Sequence, residues 1–189
     1  MPVISVTLLP GYSSEAESRL VGRVALAARS VIDAAPAGTT VYVNHAATYQ
    51  RDGKVFTSGG AERADASQVV RRFLELMQAR ELAAASSCLA PGFQLFFPGA
   101  QVMHRLDQLV EWSRTRYLSV AKTFDRFDES WTDDGTIVYC SGSLHGVWLD
   151  GTAFDGIRFI DRFEVVNGLV TRQDVWNDLA LHRSADNTL

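Results

Sequence analysis

The proline at position 2 is the first residue of this sequence with evident chemical potential. If an initiator methionine is removed, the ring nitrogen of Pro2 is a secondary amine. Inside a chain the same nitrogen is an amide that does not bind a proton. A free α-amino group titrates at about 7.7–8.0, and apolar surroundings lower that pKa because they disfavour the cation. An N-terminal Pro2 would therefore be a base near neutral pH, suited to taking a proton from a carbon beside a carbonyl.

A second candidate is a carboxylate in a segment whose apolar residues alternate. In residues 157–165, Asp161 shares one face of a predicted strand with Ile157, Phe159 and Phe163. Apolar neighbours raise the pKa of a carboxyl group, which makes Asp161 a candidate general acid or base. An ion pair with an arginine of a neighbouring strand explains a buried acid equally well.

Other polar residues in the C-terminal half of the chain could line a pocket together with Asp161. Asp174, Trp176 and Asp178 share one face of the last predicted strand by simple alternation. His104 and His145 could line the same cavity, and His145 lies at the end of a predicted strand. A turn or helix cap is the alternative role for Asp178, and an ordinary surface position is the alternative for His145.

Two blocks of patterned sequence must position these residues. The first block has an apolar strand over residues 2–9, a helix with apolar residues at helical spacing, the β-rich run TTVYVNHA, and a hairpin around the turn RDG. Two parallel strands joined through a helix make a right-handed crossover. The first block therefore predicts a β-α-β module followed by a hairpin.

The small, polar segment TSGGAERADAS separates the blocks and has no apolar periodicity. It predicts a first domain at residues 1–60, a linker at 61–66 and a second domain at 67–189. The second block begins with a long amphipathic helix over residues 66–85, and later has strand-like runs separated by the turns DDG, LDG and NG. Helices followed by antiparallel strands predict an α+β fold.

The ordered elements of the first block resemble the 4-oxalocrotonate tautomerase family. The resemblance rests on Pro2 directly after Met1, the strand VISVTLL, the turn at Gly11 and Ser13, the helix, the strand TVYV, and Phe56 before a pair of glycines. It implies that Pro2 moves a proton between carbon and oxygen of an enol or keto acid. It also implies that Phe56 walls the pocket and that the modules assemble as hexamers.

Two positions depart from that family, because Tyr12 and Tyr42 stand where it usually has arginines. Arginine offers a permanent charge and a two-pronged donor for a carboxylate, whereas a phenol offers one neutral donor. The two phenols could polarise a single carbonyl, or they could be ordinary packing residues. Arg51, Lys54 or a neighbouring subunit could supply a cation instead.

The second block resembles the SnoaL-like polyketide cyclases of the nuclear-transport-factor-like superfamily, which also contains ketosteroid isomerase. The resemblance is carried by the opening helix, the motif FFPG, the helix beginning near Leu106, and the closing strands GIRFIDRFEVVNGLVTRQDVWND. It implies a cone-shaped domain in which helices cover a curved antiparallel sheet with a pocket on its concave side. It further implies a catalytic acidic residue near the last strand, and frequent dimers.

The composition fits a protein that acts on small molecules. A net charge of −4 and a pI near 5.5 leave no basic surface for nucleic acid. Cys88 and Cys140 lack the spacing of a metal site or a disulfide framework, and the N-terminal segment resembles neither a secretory signal nor a membrane span. We expect a cytoplasmic homo-oligomer of two, three or six chains with a small-molecule substrate and no membrane partner. We expect no metal or organic cofactor.

Three functional hypotheses follow. The first is a keto-enol tautomerase, an isomerase with Pro2 as base, the two tyrosines as donors to the carbonyl oxygen, and Phe56 excluding water. The second is a cyclase, isomerase or lyase that works in the cone pocket through Asp161 or Asp174 as base. The third is a non-catalytic oligomer that binds a small ligand.

The tautomerase hypothesis makes a direct prediction for the N-terminus. Pro2→Ala should abolish conversion of an enol acid to its keto form, because the substitution removes the secondary amine that acts as base. The conversion is followed by ultraviolet absorbance, together with an intact-mass measurement that shows whether Met1 is removed. Unchanged turnover in the variant would contradict the hypothesis.

Overall fold

The computed structural model describes residues 1–184 and divides the chain into two compact units, Met1–Arg63 and Ala64–Leu189. The last five positions of the predicted second domain, residues 185–189, lie outside the described residues. Among the helices of the described part, none combines the length and the apolar character needed to cross a membrane.

The first unit is a β-α-β arrangement followed by a short hairpin. Its elements are β1 (Val3–Leu8), α1 (Ser14–Arg29), a 3-10 turn (Pro36–Gly38), β2 (Thr40–His45), β3 (Tyr49–Arg51) and β4 (Lys54–Phe56). Strands β1 and β2 pair in parallel, and β3 and β4 form an antiparallel hairpin. Ser13 caps α1, since its hydroxyl accepts a hydrogen bond from the backbone N–H of Ala16 at 3.2 Å.

The first unit has no buried core. None of the residues Met1–Arg63 is buried, and apolar side chains such as Val3 and Val31 are 65% and 87% exposed. Because burial of apolar surface is the main favourable contribution to folding, this unit has little of it to stabilise its elements by themselves.

The second unit combines a helical layer with a five-stranded sheet. Its elements are α2 (Ala66–Gln78), α3 (Leu82–Ser86), β5 (Leu89–Phe96), α4 (Leu106–Arg114), β6 (Tyr117–Trp131), β7 (Thr136–Trp148), β8 (Ala153–Val166), β9 (Leu169–Asn177) and α5 (Leu179–Ser184). The strand order is β5-β9-β8-β7-β6. All neighbouring pairs are antiparallel except β5 and β9, so the expectation of a wholly antiparallel sheet is wrong at this edge.

The predicted helix over residues 66–85 is two helices. Arg80 adopts a left-handed backbone conformation with φ of 62°, and the N–H of Glu81 donates to the carbonyl of Leu76 at 2.9 Å. These contacts close the end of α2 after Gln78. Apolar periodicity continues through the break, which is why the sequence pattern does not reveal it.

The hydrophobic core lies between α2 and the inner face of the sheet. Val70, Phe73 and Leu74 of α2 are buried, and Phe73 packs edge-on against Phe163 of β8 with ring centroids 6.1 Å apart. Along β8 every second residue from Ile157 onward is buried, as the alternation in the sequence predicts. The same alternation that builds this core also decides which polar side chains point inward.

Removing a central ring should destabilise the second unit strongly. Phe163 is fully buried, so Phe163→Ala should lower the free energy of unfolding by about 3–5 kcal/mol through lost transfer energy and a residual cavity. Urea unfolding followed by circular dichroism measures this change. Trp176→Ala, at a side chain that is 50% exposed, is the matched control and should cost less than about 1 kcal/mol. Equal effects of the two substitutions would contradict this account of the core.

Candidate active site

A cavity of about 120 Å³ opens between the helical layer and the inner face of the sheet in the second unit. Its walls are mainly apolar and come from Phe73, Leu74, Met77, Phe97, Leu109, Val120, Ala121, Leu144, Phe159, Val175 and Leu179. The polar lining comes from Gln78, Arg80, Ser113, Tyr117, Lys122, Gln173 and Asn177. An apolar cavity with a few convergent polar groups is the usual form of a small-molecule site.

Lys122 is the less exposed of the two cationic side chains that line this cavity. It stands on β6, and its ammonium lies over the ring of Phe159 at 4.3 Å from the centroid. The same ammonium donates to Oδ2 of Asp161, and only 20% of the Lys122 side chain is exposed. The aliphatic stem therefore lines the cavity wall, and Asp161 holds the head group.

Asp161 lies behind Lys122 and does not line the cavity. Its side chain is fully buried on β8, and Oδ2 accepts hydrogen bonds from Lys122 and from Nε2 of Gln173, the latter at 3.0 Å. Burial raises the pKa of Asp161, against the opposing effect of these two donors. Its other oxygen, Oδ1, has no hydrogen-bond partner among the described residues. The geometry makes Asp161 the anchor of Lys122 and gives a substrate in the cavity no direct access to it.

Gln173 joins Lys122 and Asp161 because a β-bulge changes which residues of β9 face inward. Val165 aligns with Val170 and Glu164 aligns with Arg172, which leaves Thr171 as an extra residue. The extra residue shifts the alternation by one, so Gln173 points inward with Val170.

That bulge corrects the interpretation of the last strand. Counting alternate residues from Val170 without a bulge places Asp174 and Trp176 in the pocket, whereas the structure aligns them with Arg162 and Ile160 on the outer face. Trp176 is half exposed there. Neither of these two residues lines the cavity.

Asp174 is instead the centre of a charge network. Its carboxylate accepts from Arg172 at 2.7 Å and from Arg162 at 3.1 Å. Burial alone would raise the pKa of Asp174, but the hydrogen bonds and charges of the two arginines outweigh it and lower the pKa. A low pKa and two fixed cations suit a structural ion pair better than a base. Asp178 likewise pairs with Arg158 at 2.8 Å, just before α5.

The two histidines do not join the site. His104 is exposed, and its Nδ1 lies 3.0 Å from the carbonyl oxygen of Phe93, outside the cavity. His145 is half-buried on β7 and aligned with Ala121, and it does not line the cavity.

In the first unit, the four candidate residues do not form one cluster within a single chain. Pro2 precedes β1 and Tyr12 follows it, and a six-residue strand separates them by roughly 20 Å. With Met1 in place the Pro2 nitrogen is an amide. The carbonyl oxygen of Pro2 accepts a hydrogen bond from the N–H of Thr40 at 3.0 Å.

The other two aromatic candidates of this unit are partly open to solvent. Tyr42 is 47% exposed in the middle of β2, where it is aligned with Ser5. Phe56 is 37% exposed and stacks on Tyr49 with centroids 5.3 Å apart.

Sequence reasoning missed Lys122 and Gln173. The sequence patterns assigned Lys122 to no helix or strand, whereas the structure places it on β6, which begins at Tyr117. The available signal was the row Val120, Lys122 and Phe124, in which one of only two lysines of the chain lies between apolar residues.

Comparisons with known structures show the fold of about two thirds of the chain. No protein-family model matches it, and no curated protein matches it by sequence. An NTF2-like protein of unknown function from Burkholderia pseudomallei K96243 is 18% identical with a TM-score of 0.56, over 66% of this chain and 99% of that one. TerC, co-crystallised with polyporic acid, is 14% identical with a TM-score of 0.55, over 65% and 98%.

A further match is a protein classed with the SnoaL-like polyketide cyclases, from Jannaschia sp. CCS1. It is 17% identical with a TM-score of 0.51, over 67% of this chain and 96% of that chain. These likenesses confirm the α+β cone fold with its curved sheet. They do not show the tautomerase-like module that the resemblance of the first block implies.

The ion pair predicts a specific pattern of stability changes. Lys122→Met should lower the free energy of unfolding by about 3–5 kcal/mol, because it leaves the Asp161 carboxylate buried without a counterion. Adding Asp161→Asn should restore most of that loss, since an amide needs no counterion. Urea unfolding of the wild type, both single variants and the double variant measures the coupling.

The stability of the Lys122→Met variant should change with pH in a definite direction. The pKa of Asp161 is raised in the folded state, so the folded protein binds this proton more readily than the unfolded chain does. The stability of Lys122→Met should therefore fall as the pH rises above the ordinary carboxyl value of 3.8 and through the raised folded pKa. The double variant should lack this slope. A rise in the stability of Lys122→Met over the same range would contradict the assignment.

Proposed function

We propose that the second unit is a small-molecule isomerase or cyclase that acts on a carbonyl compound with an acidic C–H group. One observation carries the proposal: an apolar cavity presents the ammonium of Lys122, which a buried carboxylate holds in place. The reaction class is keto-enol isomerisation or the related ring closure through an enolate.

The cavity suits an oxygenated, largely apolar compound. Phe73, Phe97 and Phe159 contribute flat apolar surface, and burial against them favours a ring system or a folded chain. A charge in such surroundings interacts more strongly than in water, because the effective dielectric constant is lower. The ammonium of Lys122 is therefore well placed to bind a carbonyl or phenolate oxygen.

Lys122 would act as the donor to the oxygen that becomes negative. When a C–H proton beside a carbonyl leaves to water, the electron pair moves to the oxygen and forms an enolate. A donor that is already oriented stabilises that charge more in the transition state than in the bound ketone, and this difference accelerates the reaction. Lys122 is thus the proposed catalytic residue.

Asp161 and Gln173 would be positioning residues. Asp161 holds the Lys122 ammonium, and Gln173 holds the same carboxylate oxygen from the adjacent strand. This assignment changes the role predicted for Asp161, from a base that meets the substrate to the anchor of the cation that does. The fold supports the proposal, because solved structures with this fold include a protein classed as a SnoaL-like polyketide cyclase and a protein co-crystallised with polyporic acid.

The proposal predicts a lysine-dependent enolisation activity. The test substrate is 1-phenylbutane-1,3-dione, an aromatic β-diketone whose enol absorbs in the ultraviolet. Lys122→Met combined with Asp161→Asn, the double variant that regains the stability lost in Lys122→Met, should lower the rate of its keto-enol conversion by about 10²–10³-fold, the usual effect of removing an oxyanion donor. Lys54→Met, which removes the only other lysine of the chain, is the matched control and should leave the rate unchanged.

Two results decide the outcome. If the double variant converts the diketone as fast as the wild type, Lys122 is not the oxyanion donor and the proposal fails. Pro2→Ala separates the two units, because a rate lost in that variant and kept in the double variant would assign the activity to the N-terminal amine instead.

A further inference from the structure

Arg116 lies in a second pocket that the proposed reaction does not use. This pocket, the Arg116 pocket, has a volume of about 110 Å³ and is lined by Arg116, Trp112 and Trp148 among others. The guanidinium carbon of Arg116 lies 3.9 Å from the centre of the Trp112 ring. Its Nε is buried and has no hydrogen-bond partner in the part of the chain that the structure describes.

An unpartnered buried donor calls for an explanation. Leaving such a group unsatisfied costs free energy, more so when the group is charged, and most buried donors in proteins have a partner. Nε itself has no accessible surface, so a ligand oxygen in the pocket would pair with the guanidinium through its other nitrogens. Because guanidinium presents its donors in a planar fork, a carboxylate is the ligand group that matches it best.

The Arg116 pocket adjoins the cavity of Lys122. Both are lined by Phe97, Tyr117, Asn177 and Leu179, so the two pockets are neighbours. We refer to these two neighbouring pockets together, one lined by Lys122 and the other by Arg116, as the elongated site.

The charges along this elongated site all have one sign. Arg80 and Lys122 line the cavity and Arg116 lines its neighbour, whereas no Asp or Glu among the described residues lines either pocket. The buried carboxylate of Asp161, which lies behind the cavity, already holds Lys122. The site therefore favours a ligand with acidic oxygen groups over a neutral or cationic one.

The walls of the Arg116 pocket favour an aromatic ligand. Trp112 and Phe97 pack together with centroids 4.9 Å apart, and Trp148 lies on the same pocket. Flat rings of this kind bury aromatic surface and stack with it.

We propose that Arg116 binds the carboxylate of an aromatic acid whose carbonyl or phenol oxygen is bound by Lys122. The substrate class of the proposed enzyme is thus an aromatic compound with an enolisable carbonyl at one end and a carboxylate at the other. This inference rests on the proposed function for its account of the Lys122 end. The assignment of Arg116 as a carboxylate-binding residue rests only on the geometry of the Arg116 pocket.

Two matched probes test the inference by isothermal titration calorimetry. The first is 6-hydroxy-2-naphthoic acid, which has a phenol oxygen for Lys122 and a carboxylate for Arg116. The second is 6-hydroxy-2-naphthamide, which has the same shape and no negative carboxylate. The full-length wild type should bind the acid about tenfold or more tightly than the amide, the difference expected of a charge-assisted pair.

Substitution assigns that preference to one side chain. Arg116→Gln should reduce the preference to less than about threefold and leave the affinity for the amide unchanged. Arg114→Gln, at an exposed arginine two residues earlier that pairs with Glu111, is the matched control and should keep the preference. Circular dichroism establishes that each variant is folded.

The remaining outcomes separate this inference from the proposed function. Equal affinities of the wild type for both probes, no binding of either, or a full preference in Arg116→Gln would overturn the inference. Lys122→Met should weaken both probes by the same factor and so keep the preference for the acid. If the double variant of Lys122→Met and Asp161→Asn has normal activity while Arg116→Gln loses the preference, the proposed function fails and the carboxylate site stands.

Discussion

The contact between the Lys122 ammonium and the Asp161 carboxylate is the interaction on which the site depends. A charge is costly to bury, and each partner of this pair makes the burial of the other tolerable. Asp161 has no exposure of its own, whereas Lys122 keeps one face toward the cavity. The fully buried carboxylate thus fixes the position of a cation at the surface of the pocket.

The fold supplies this arrangement through three strands of one sheet. Strand β8 alternates strictly and points Asp161 inward, β6 brings Lys122 across from the other side of β7, and the bulge in β9 turns Gln173 toward the same oxygen. Rigid strands fix the positions of side chains better than loops do, and a pre-oriented donor is what stabilisation of an enolate requires. The helices close the other side of the pocket with apolar residues.

Periodicity predicted much of this domain from sequence. The order of helices and strands and the inward row around Asp161 follow from apolar alternation, which tertiary packing reinforces. The site itself was harder to predict, for two local reasons. The bulge at Thr171 reverses which residues of β9 face inward, and a break at Arg80 divides a helix whose apolar pattern continues through it.

In the first unit the elements could be predicted from the sequence, but a catalytic site could not. Its β-α-β order and hairpin follow from sequence patterns, but a catalytic role for Pro2 depends on removal of Met1 and on groups that one chain does not bring together. The resemblance to tautomerases therefore remains a hypothesis about this unit, and the activity that we propose belongs to the second unit.

Nuclear magnetic resonance of the lysine side chains tests the central claim most directly. The chain has only two lysines, so protein labelled with ¹⁵N at the lysine Nζ should give two assignable signals. Titration with 6-hydroxy-2-naphthoic acid should shift the Lys122 signal while the Lys54 signal stays in place, because only Lys122 lies in the cavity. Saturable binding of the acid that leaves the Lys122 signal unchanged would contradict the account.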